Sequence, residues 1–475
     1  MLNRSIWEGD FEGRAPLNKN IKTKVAIIGG GMAGLLTALH LKQAGISCVV
    51  LEARRIASGQ TKNTTAKITA QHGYIYHNLI KNFGEEKARI YLKANSAAVN
   101  WYRDFITQNK IDCSFSVENA YIYSLYDTAE LKKEQEAYKR LGEATSLTES
   151  THLPFAVAGA LCLEEQAQFD PLAFISHICR DLEIYENTRV ERVEGDTLFC
   201  KTGRVAAEHI VFACHYPFVN FPGLFFTRLH QERSYVLALE NAQKTDGMYL
   251  GIDDEPLSLR QAGEYLLLGG GGHRTGENSL GGRYDKLMFN AKTFYPNCIP
   301  VAKWSAQDCI TADGIPYIGR FGGKNTYIAT GFGKWGMTGS AVAARLITDL
   351  ISGLENPAHK VFTPERFSLS ALSGITKEIF HSTRGIIRQN FVIPEKTLES
   401  IPVGHGGVVK HQGKRVGVYR ATAQEYHMVD TKCPHLGCRL EWNPDEKSWD
   451  CPCHGSRFDY MGRLMDNPAQ ENLGH

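Results

Sequence analysis

Lys24-Val-Ala-Ile-Ile-Gly-Gly-Gly-Met-Ala-Gly34, then Leu35-Leu-Thr-Ala-Leu-His-Leu-Lys-Gln-Ala-Gly45, then Ser47-Cys-Val-Val-Leu-Glu52, is the stretch that decides the fold. A short apolar run, a glycine turn, a helical pattern and a second apolar run make one βαβ unit. Gly29 permits the tight turn and Gly31 lets the backbone approach a pyrophosphate. Met32 and Ala33 open a helix whose N-terminus faces the phosphates, and Gly34 allows the helix to pack closely on the strand. Glu52, at the end of the second strand, is placed to bind ribose hydroxyls. A lone G-x-G-x-x-G is a weak signal, but this one follows a strand, opens a helix and has an acid at the right distance. It predicts a bound dinucleotide and does not separate NAD from FAD.

The other chemical signal lies near the C-terminus: Cys433-Pro-His435-Leu-Gly-Cys438 and Cys451-Pro-Cys453-His454-Gly-Ser456. One Cys-x-His loop and one Cys-x-x-His loop supply two thiolates and two imidazoles. Cys433, His435, Cys451 and His454 can hold a [2Fe-2S] cluster, with cysteines on one iron and histidines on the other. A structural zinc site is the other reading of four such residues.

The flanking residues of both loops, Pro434, Leu436 and Gly437 with Pro452, Gly455 and Ser456, resemble the Rieske family. The resemblance implies the iron-sulfur reading over zinc. It also implies a disulfide between Cys438 and Cys453, and a Ser456 hydroxyl that hydrogen-bonds a bridging sulfide and favours the reduced cluster. Phe458 stands where respiratory-chain members carry a Tyr, so one donor is missing. The expected potential is inside the Rieske range of about -150 to +300 mV, below the respiratory-chain values.

Most of the first 365 residues resemble the glycine oxidase and sarcosine oxidase group of FAD-dependent amine oxidoreductases, the D-amino-acid oxidase superfamily. The likeness rests on the βαβ unit, Ala57-Ser58-Gly59 to Thr64-Thr65-Ala66-Lys67, Phe169-Asp170-Pro171, Arg189-Val190, Ile210-Val-Phe-Ala213, Thr311-Ala-Asp313-Gly314-Ile-Pro316, and Thr330-Gly331-Phe-Gly333-Lys334-Trp335-Gly336-Met337-Thr338. It implies FAD, with Gly29, Gly31, Met32, Ala33, Gly34, Glu52, Ser58, Thr65, Val190, Gly331, Gly336, Met337 and Thr338 as its binding residues; Cys309 lies several residues from where sarcosine-oxidase-like members place their linking Cys, so the FAD is expected to be non-covalent. The expected fold is an α/β Rossmann-type FAD domain with an inserted antiparallel-sheet substrate domain, plus a small all-β Rieske domain.

In chain order the oxidoreductase spans 21–355. Its FAD-binding pieces are expected at about 21–80, 150–220 and 305–355, with the substrate domain at about 81–149 and 221–304. A helical connector, with an amphipathic stretch near Ile375 to Arg388, occupies 356–398, and the Rieske domain occupies 399–475. Gly269 to Gly272 has no acid-tipped second strand after it, so it reads as a strand end beside the flavin and not as a nicotinamide site.

The candidate catalytic residues are His72, His273, Arg260, Lys334 and Trp335, all on segments that the resemblance places by the flavin ring. Each also has a plain structural reading: satisfied core histidines, interface charges and a packed indole. Three positions depart from the amine-oxidase pattern. Gly269 stands where a Lys would activate oxygen, so a dehydrogenase is expected over an oxidase. Ala70 and Thr338 stand where an Arg and a Lys would hold a substrate carboxylate, leaving Arg260 or Lys334 for that role.

The function expected is oxidation of an amine or amino-acid-like substrate, with electrons passing singly from flavin to cluster and on to an external acceptor. Reverse flow from a donor through the cluster, and a redox sensor without turnover, are the alternatives. A Rieske oxygenase lacks the 2-His-1-carboxylate iron site it would need. Lys plus Arg number 53 against 51 Asp plus Glu, so the net charge of +2 gives no case for nucleic acid. No secretory h-region or membrane-length apolar run is present, and the other cysteines, Cys48, Cys113, Cys162, Cys179, Cys200, Cys214, Cys298 and Cys309, are scattered. A cytoplasmic protein is expected.

Overall fold

The computed structural model describes residues 1–323, 325–366 and 397–474. Ile21–Ile28 runs through the middle of a sheet ordered Tyr317–Arg320, Thr326–Thr330, Gly203–Phe212, Ile21–Ile28, Cys48–Leu51, Ile184–Tyr185. The last five of these strands are parallel, and Tyr317–Arg320 is an antiparallel edge. Val25, Ala26, Ile27 and Ile28 are all buried because helices or loops cover both faces, which is why they read as an apolar run and not an alternation. The helix Met32–Gln43 packs along Gly336–Ile351. Buried Gly339, Ser340, Ala341, Ala343 and Ala344 on the latter let the two helices approach closely. Each fully buried leucine there, such as Leu35, Leu36 or Leu346, contributes roughly 1.5–3 kcal/mol.

The second sheet is ordered Ile299–Thr311, Leu229–Glu240, Tyr265–Arg274, Ser258–Ala262, Met248–Gly251, Ser116–Ser124, Gly159–Gln168, Lys67–Ile68, with Ser146–Thr148 beside Gly159–Gln168. It is antiparallel except where Met248–Gly251 runs parallel to Ser116–Ser124. Its membership corrects the boundaries expected from sequence. Lys67–Ile68, Gly159–Gln168 and Ile299–Thr311 all pair in this sheet, although 150–220, 305–355 and the end of 21–80 were assigned to the FAD pieces. The reason is that Gly159–Gln168 pairs laterally with Ser116–Ser124 far away in sequence, a contact that no local pattern encodes.

The C-terminal unit has two small sheets. Gly406–His411, Lys414–Arg420 and Tyr426–Asp430 form one; Glu441–Asn443, Ser448–Asp450, Arg457–Asp459 and Leu464–Asp466 form the other. The expected helix near Ile375 to Arg388 lies outside the described residues. Among the described residues, no helix is long and apolar enough to cross a membrane.

Candidate functional site

A cavity of about 250 Å³ opens at the C-terminal ends of the parallel strands, the position at which open α/β sheets bind ligands. Gly29 has φ +114°, and a Cβ there would sit 2.4 Å from the Ala213 carbonyl oxygen. A Cβ on Gly34 would lie 1.9 Å from the Gly29 carbonyl oxygen, so helix and strand touch backbone to backbone. The helix starts at Gly31 with no side-chain cap and no acid in its first turn, which leaves its N-terminal end suited to a pyrophosphate. Glu52 accepts from the Gly30 amide (2.7 Å) and the Arg54 amide (2.8 Å), which fixes the carboxylate at the cavity wall. These are the features an FAD site requires. We expect Gly34→Val to purify without FAD, whereas the parent protein carries it; acid extraction and absorbance of the supernatant measure both.

Of the other expected FAD residues, Ser58, Val190, Gly336 and Met337 line the cavity with Gly29, Gly31, Met32 and Ala33. Thr65, Gly331 and Thr338 are not in its wall. Thr64 faces the cavity in place of Thr65, Gly331 presses on Thr311, and Thr338 donates to the Thr69 carbonyl at 3.2 Å.

One wall of the cavity is the edge of the second sheet, and strand alternation gives its two faces different chemistry. Asp308 and Glu232 are direct register partners, and with Ala306 and His230 they lie on the cavity face. Lys334 reaches Glu232 at 2.9 Å and lines the same cavity. His230 first, then Lys334, hold Glu232 down at about 2 despite its burial. Burial opposes the Lys334 ammonium, but Glu232 and Asp308 outweigh it and raise its pKa. Burial pushes the Asp308 carboxyl up to about 6, Lys334 partly offsets this, and Glu232 adds to it.

The opposite face of the same strands carries Gln231, Arg233, Tyr235, Ser305 and Gln307, and all of them meet the C-terminal unit or its ligands' neighbours. Gln231 Nε2 donates to the carbonyl oxygens of His454 (2.7 Å) and Asn467 (3.0 Å). Gln307 Nε2 donates to the Gly455 carbonyl at 2.8 Å, and Gln307 also borders the cavity. Arg233 pairs with Glu446 at 2.7 Å, and Asn443 Nδ2 donates to the Tyr235 hydroxyl at 3.5 Å.

Of the five catalytic candidates, Lys334 alone lines the cavity. His273 is turned the other way: its Nε2 meets the Tyr235 hydroxyl at 3.0 Å and its Nδ1 the Arg274 carbonyl at 2.7 Å. The register shift between Arg233 and Tyr235, opposite a Gly271 at φ +66°, sets which face the strand end presents. Arg260 is buried against Trp7 and donates to the Ala66 carbonyl at 2.8 Å, so it does not stand at the cavity as a carboxylate anchor. His72 stacks on Trp335 at 4.7 Å and bonds Tyr91 (2.7 Å) and Thr338 (3.1 Å). Burial pushes its imidazole down to about 3, so it is a neutral strut under the start of Gly336–Ile351.

The two C-terminal loops come together as their spacing suggests. Cys438 and Cys453 form a disulfide, and each loop closes on itself, Gly437 N to Cys433 O and Gly455 N to Cys451 O, both at 2.9 Å. Both glycines have φ near +79°, at +78° and +79°. The His435 and His454 rings are 5.0 Å apart at 89°, and buried His435 Nδ1 has no hydrogen-bond partner among the described residues while its Nε2 meets Asn220 at 3.0 Å. The Cys451 thiol hydrogen-bonds Cys433 and lowers its pKa, with Ser456 adding to the effect. Two converging thiols and an imidazole nitrogen left open fit a cluster with Cys433, His435, Cys451 and His454 as ligands. Cys438 and Cys453 also lie within 4.8 Å of Cys451, but their sulfurs are bonded to one another and are not ligands.

Sequence reasoning missed three parts of this site. Asp308 and Gln307 give no motif, only a polar pair in a strand. Cys214 and His215 line the cavity from a strand end. Leu464, Met465, Asp466, Asn467 and Gln470 of the C-terminal unit also wall it, held by Arg54 to Met465 O (3.0 Å) and Gln60 to Asp466 (3.0 Å).

The model of the FAD dependent oxidoreductase family matches residues 24–350, and that of the Rieske [2Fe-2S] domain matches 392–475. The chain is 37% identical over 480 residues to the YhfW protein of Bacillus subtilis (strain 168), named as a Rieske 2Fe-2S iron-sulfur protein, covering 96% of this chain and 94% of that one. It is 25% identical to the gamma-glutamylputrescine oxidoreductase of Escherichia coli (strain K12), over 71% of this chain and 85% of that protein. The glycine oxidase of Geobacillus kaustophilus superposes with a TM-score of 0.61 at 18% identity, covering 73% of this chain and 99% of that chain, a likeness of fold.

Proposed function

From its place in the FAD dependent oxidoreductase family, to which the chain belongs, and from the Rieske [2Fe-2S] domain it carries, we propose that it is a dehydrogenase acting on a C–N bond. Bound in the cavity against Gly29, Gly31 and Glu52, FAD would supply the acceptor for the α hydrogen and its electron pair, leaving a C=N bond for water to hydrolyse. A Rieske centre takes electrons one at a time, and passes them to an external acceptor.

The observation that carries this reading is the sheet edge shared by the two cofactor sites. Gln307 borders the cavity and donates to Gly455 O, and Gln231 on the next strand donates to His454 O, the carbonyl of a cluster ligand. The strand edge that walls the cavity is thus the same one that holds the loop carrying His454. Supporting non-covalent FAD, burial pushes the Cys309 thiol up to about 12, beside the Thr330 hydroxyl, which makes it a poor nucleophile. The acid extraction described above should therefore recover the flavin.

The test is anaerobic rapid mixing of the oxidised protein with a panel of amines and amino acids. Flavin bleaching followed by growth of the rhombic EPR signal of a reduced Rieske cluster is the expected order. Cluster reduction that fills the flavin, with no substrate able to bleach it, would reverse the direction of flow and end the dehydrogenase reading.

A further inference from the structure

We propose that the cavity face of the shared sheet edge is an ammonium site, with Asp308 as the group that takes the substrate's cationic nitrogen, and that the substrate is an alkylamine lacking an α-carboxylate. The inference deepens the C–N dehydrogenase reading and rests on it.

First, Asp308 and Glu232 sit directly opposite one another on adjacent strands. Like charges in that relation are destabilising, so the pair costs stability that the fold alone does not explain. Second, the two acids are treated differently. Glu232 is tied to Lys334 at 2.9 Å and to His230 at 3.4 Å, while the Asp308 carboxyl has no hydrogen-bond or ion-pair partner among the described residues and lines the cavity. A half-buried carboxyl that lines the cavity and is given no donor by the protein is free to accept one from a bound ligand. Third, the cation expected to anchor a substrate carboxylate is elsewhere. Arg260 is spent on Ala66 O and Trp7, and Lys334 is already neutralised by Glu232. With Arg233 matched by Glu446 across the sheet, Glu232 and Asp308 against Lys334 leave one negative charge in excess beside this end of the cavity, which attracts an ammonium and repels an α-carboxylate.

The role also serves the chemistry. An ammonium nitrogen has no lone pair to assist loss of the α hydrogen, so it must first give up a proton. Asp308 receives that proton, and the nitrogen lone pair then forms the C=N bond as the hydride leaves carbon.

The experiment uses the full-length holoenzyme and two probes with no α hydrogen, which bind without being oxidised. tert-Butylamine is a bare ammonium; 2-aminoisobutyrate replaces one of its methyls by a carboxylate. Calorimetric titration should give tert-butylamine at least a tenfold tighter Kd. Asp308→Asn, isosteric and unable to carry charge, should weaken tert-butylamine at least tenfold and erase its advantage over 2-aminoisobutyrate, at unaltered FAD content. In the parent protein the tert-butylamine Kd should also weaken as pH falls through about 6, and in Asp308→Asn it should not. Tighter binding of 2-aminoisobutyrate, or an Asp308→Asn variant that binds tert-butylamine as the parent does, overturns the ammonium site. Flavin bleaching by an amino acid with those results leaves the dehydrogenase reading standing. Bleaching by neither class, with tert-butylamine binding through Asp308, overturns the dehydrogenase reading and keeps the site.

Discussion

Cys451→Ser is expected to abolish the rhombic EPR signal and leave substrate-driven flavin bleaching in place. A serine hydroxyl stays protonated where a thiolate is needed, and loss of one of four ligands opens the cluster to solvent and hydrolysis. Cys451 is buried beside Cys433, and the sulfurs of Cys438 and Cys453 near it are tied up in their disulfide. The Cys438–Cys453 disulfide still ties the loops, and the flavin cavity keeps its Rossmann half. Anaerobic single turnover therefore separates the two half-reactions. The parent delivers electrons from substrate through flavin to cluster, and the variant stops at reduced flavin. A variant that loses bleaching along with the EPR signal would mean that the cluster is upstream of the flavin. FAD content, measured on the same sample, guards against the trivial case in which the cavity wall at 464–470 has come away.

The second large effect concerns how the C-terminal unit is held. Arg457 is nearly fully buried and binds Asp450 (3.0 Å), Asp466 (3.0 Å) and Glu446 (3.2 Å), and Glu446 in turn binds Arg233 of the shared sheet edge. Burial alone would raise Glu446 and Asp466, yet the arginines hold both carboxyls below their usual range. Arg457→Met removes one charge and leaves Asp450 and Asp466 without their arginine, while Glu446 keeps Arg233, which costs about 3–5 kcal/mol by the usual penalty for an uncompensated buried charge. Urea titration followed by cluster absorbance should place the midpoint of cluster loss well below that of the parent. Arg457→Met with Asp466→Asn should recover part of the loss, since the two residues share one network and Asp466 loses its arginine in the single variant. The sign of the pH effect follows from the depressed carboxyls. Their contribution is complete above the ordinary carboxylate pKa and is lost as pH falls through the lowered folded-state values. An unchanged urea midpoint in Arg457→Met would show that packing, not charge, holds the unit.

Local chemistry made some of this legible from the residues alone. The βαβ unit, the two ligand loops and the Cys438–Cys453 pair depend on residues a few positions apart, and the structure places them as expected. What failed was non-local. His273 reads as an active-site histidine, but a register shift on the neighbouring strand leaves it facing Tyr235. Arg260 reads as a carboxylate anchor, but its partners are a backbone carbonyl and an indole from distant segments. Asp308 carries no motif; the only trace is an acid inside a strand whose neighbours are buried. That Met465 and Asp466 wall a cavity built by residues four hundred positions earlier is a matter of docking, which no periodicity reports.

Docking in turn limits how the two centres communicate. A Cβ on Gly455 would meet Gln231 at 2.6 Å, one on Gly276 would meet the Pro452 backbone at 2.5 Å, and one on Gly281 would meet Pro444 at 2.6 Å. The contact is made by bare backbone at three points, with no room for a side chain and none for sliding. On the proposed function, electron exchange within the molecule would be a first-order event whose rate is blind to protein concentration and to solvent viscosity. Only the final hand-over to the external acceptor is a collision, so dilution and crowding act on that step alone.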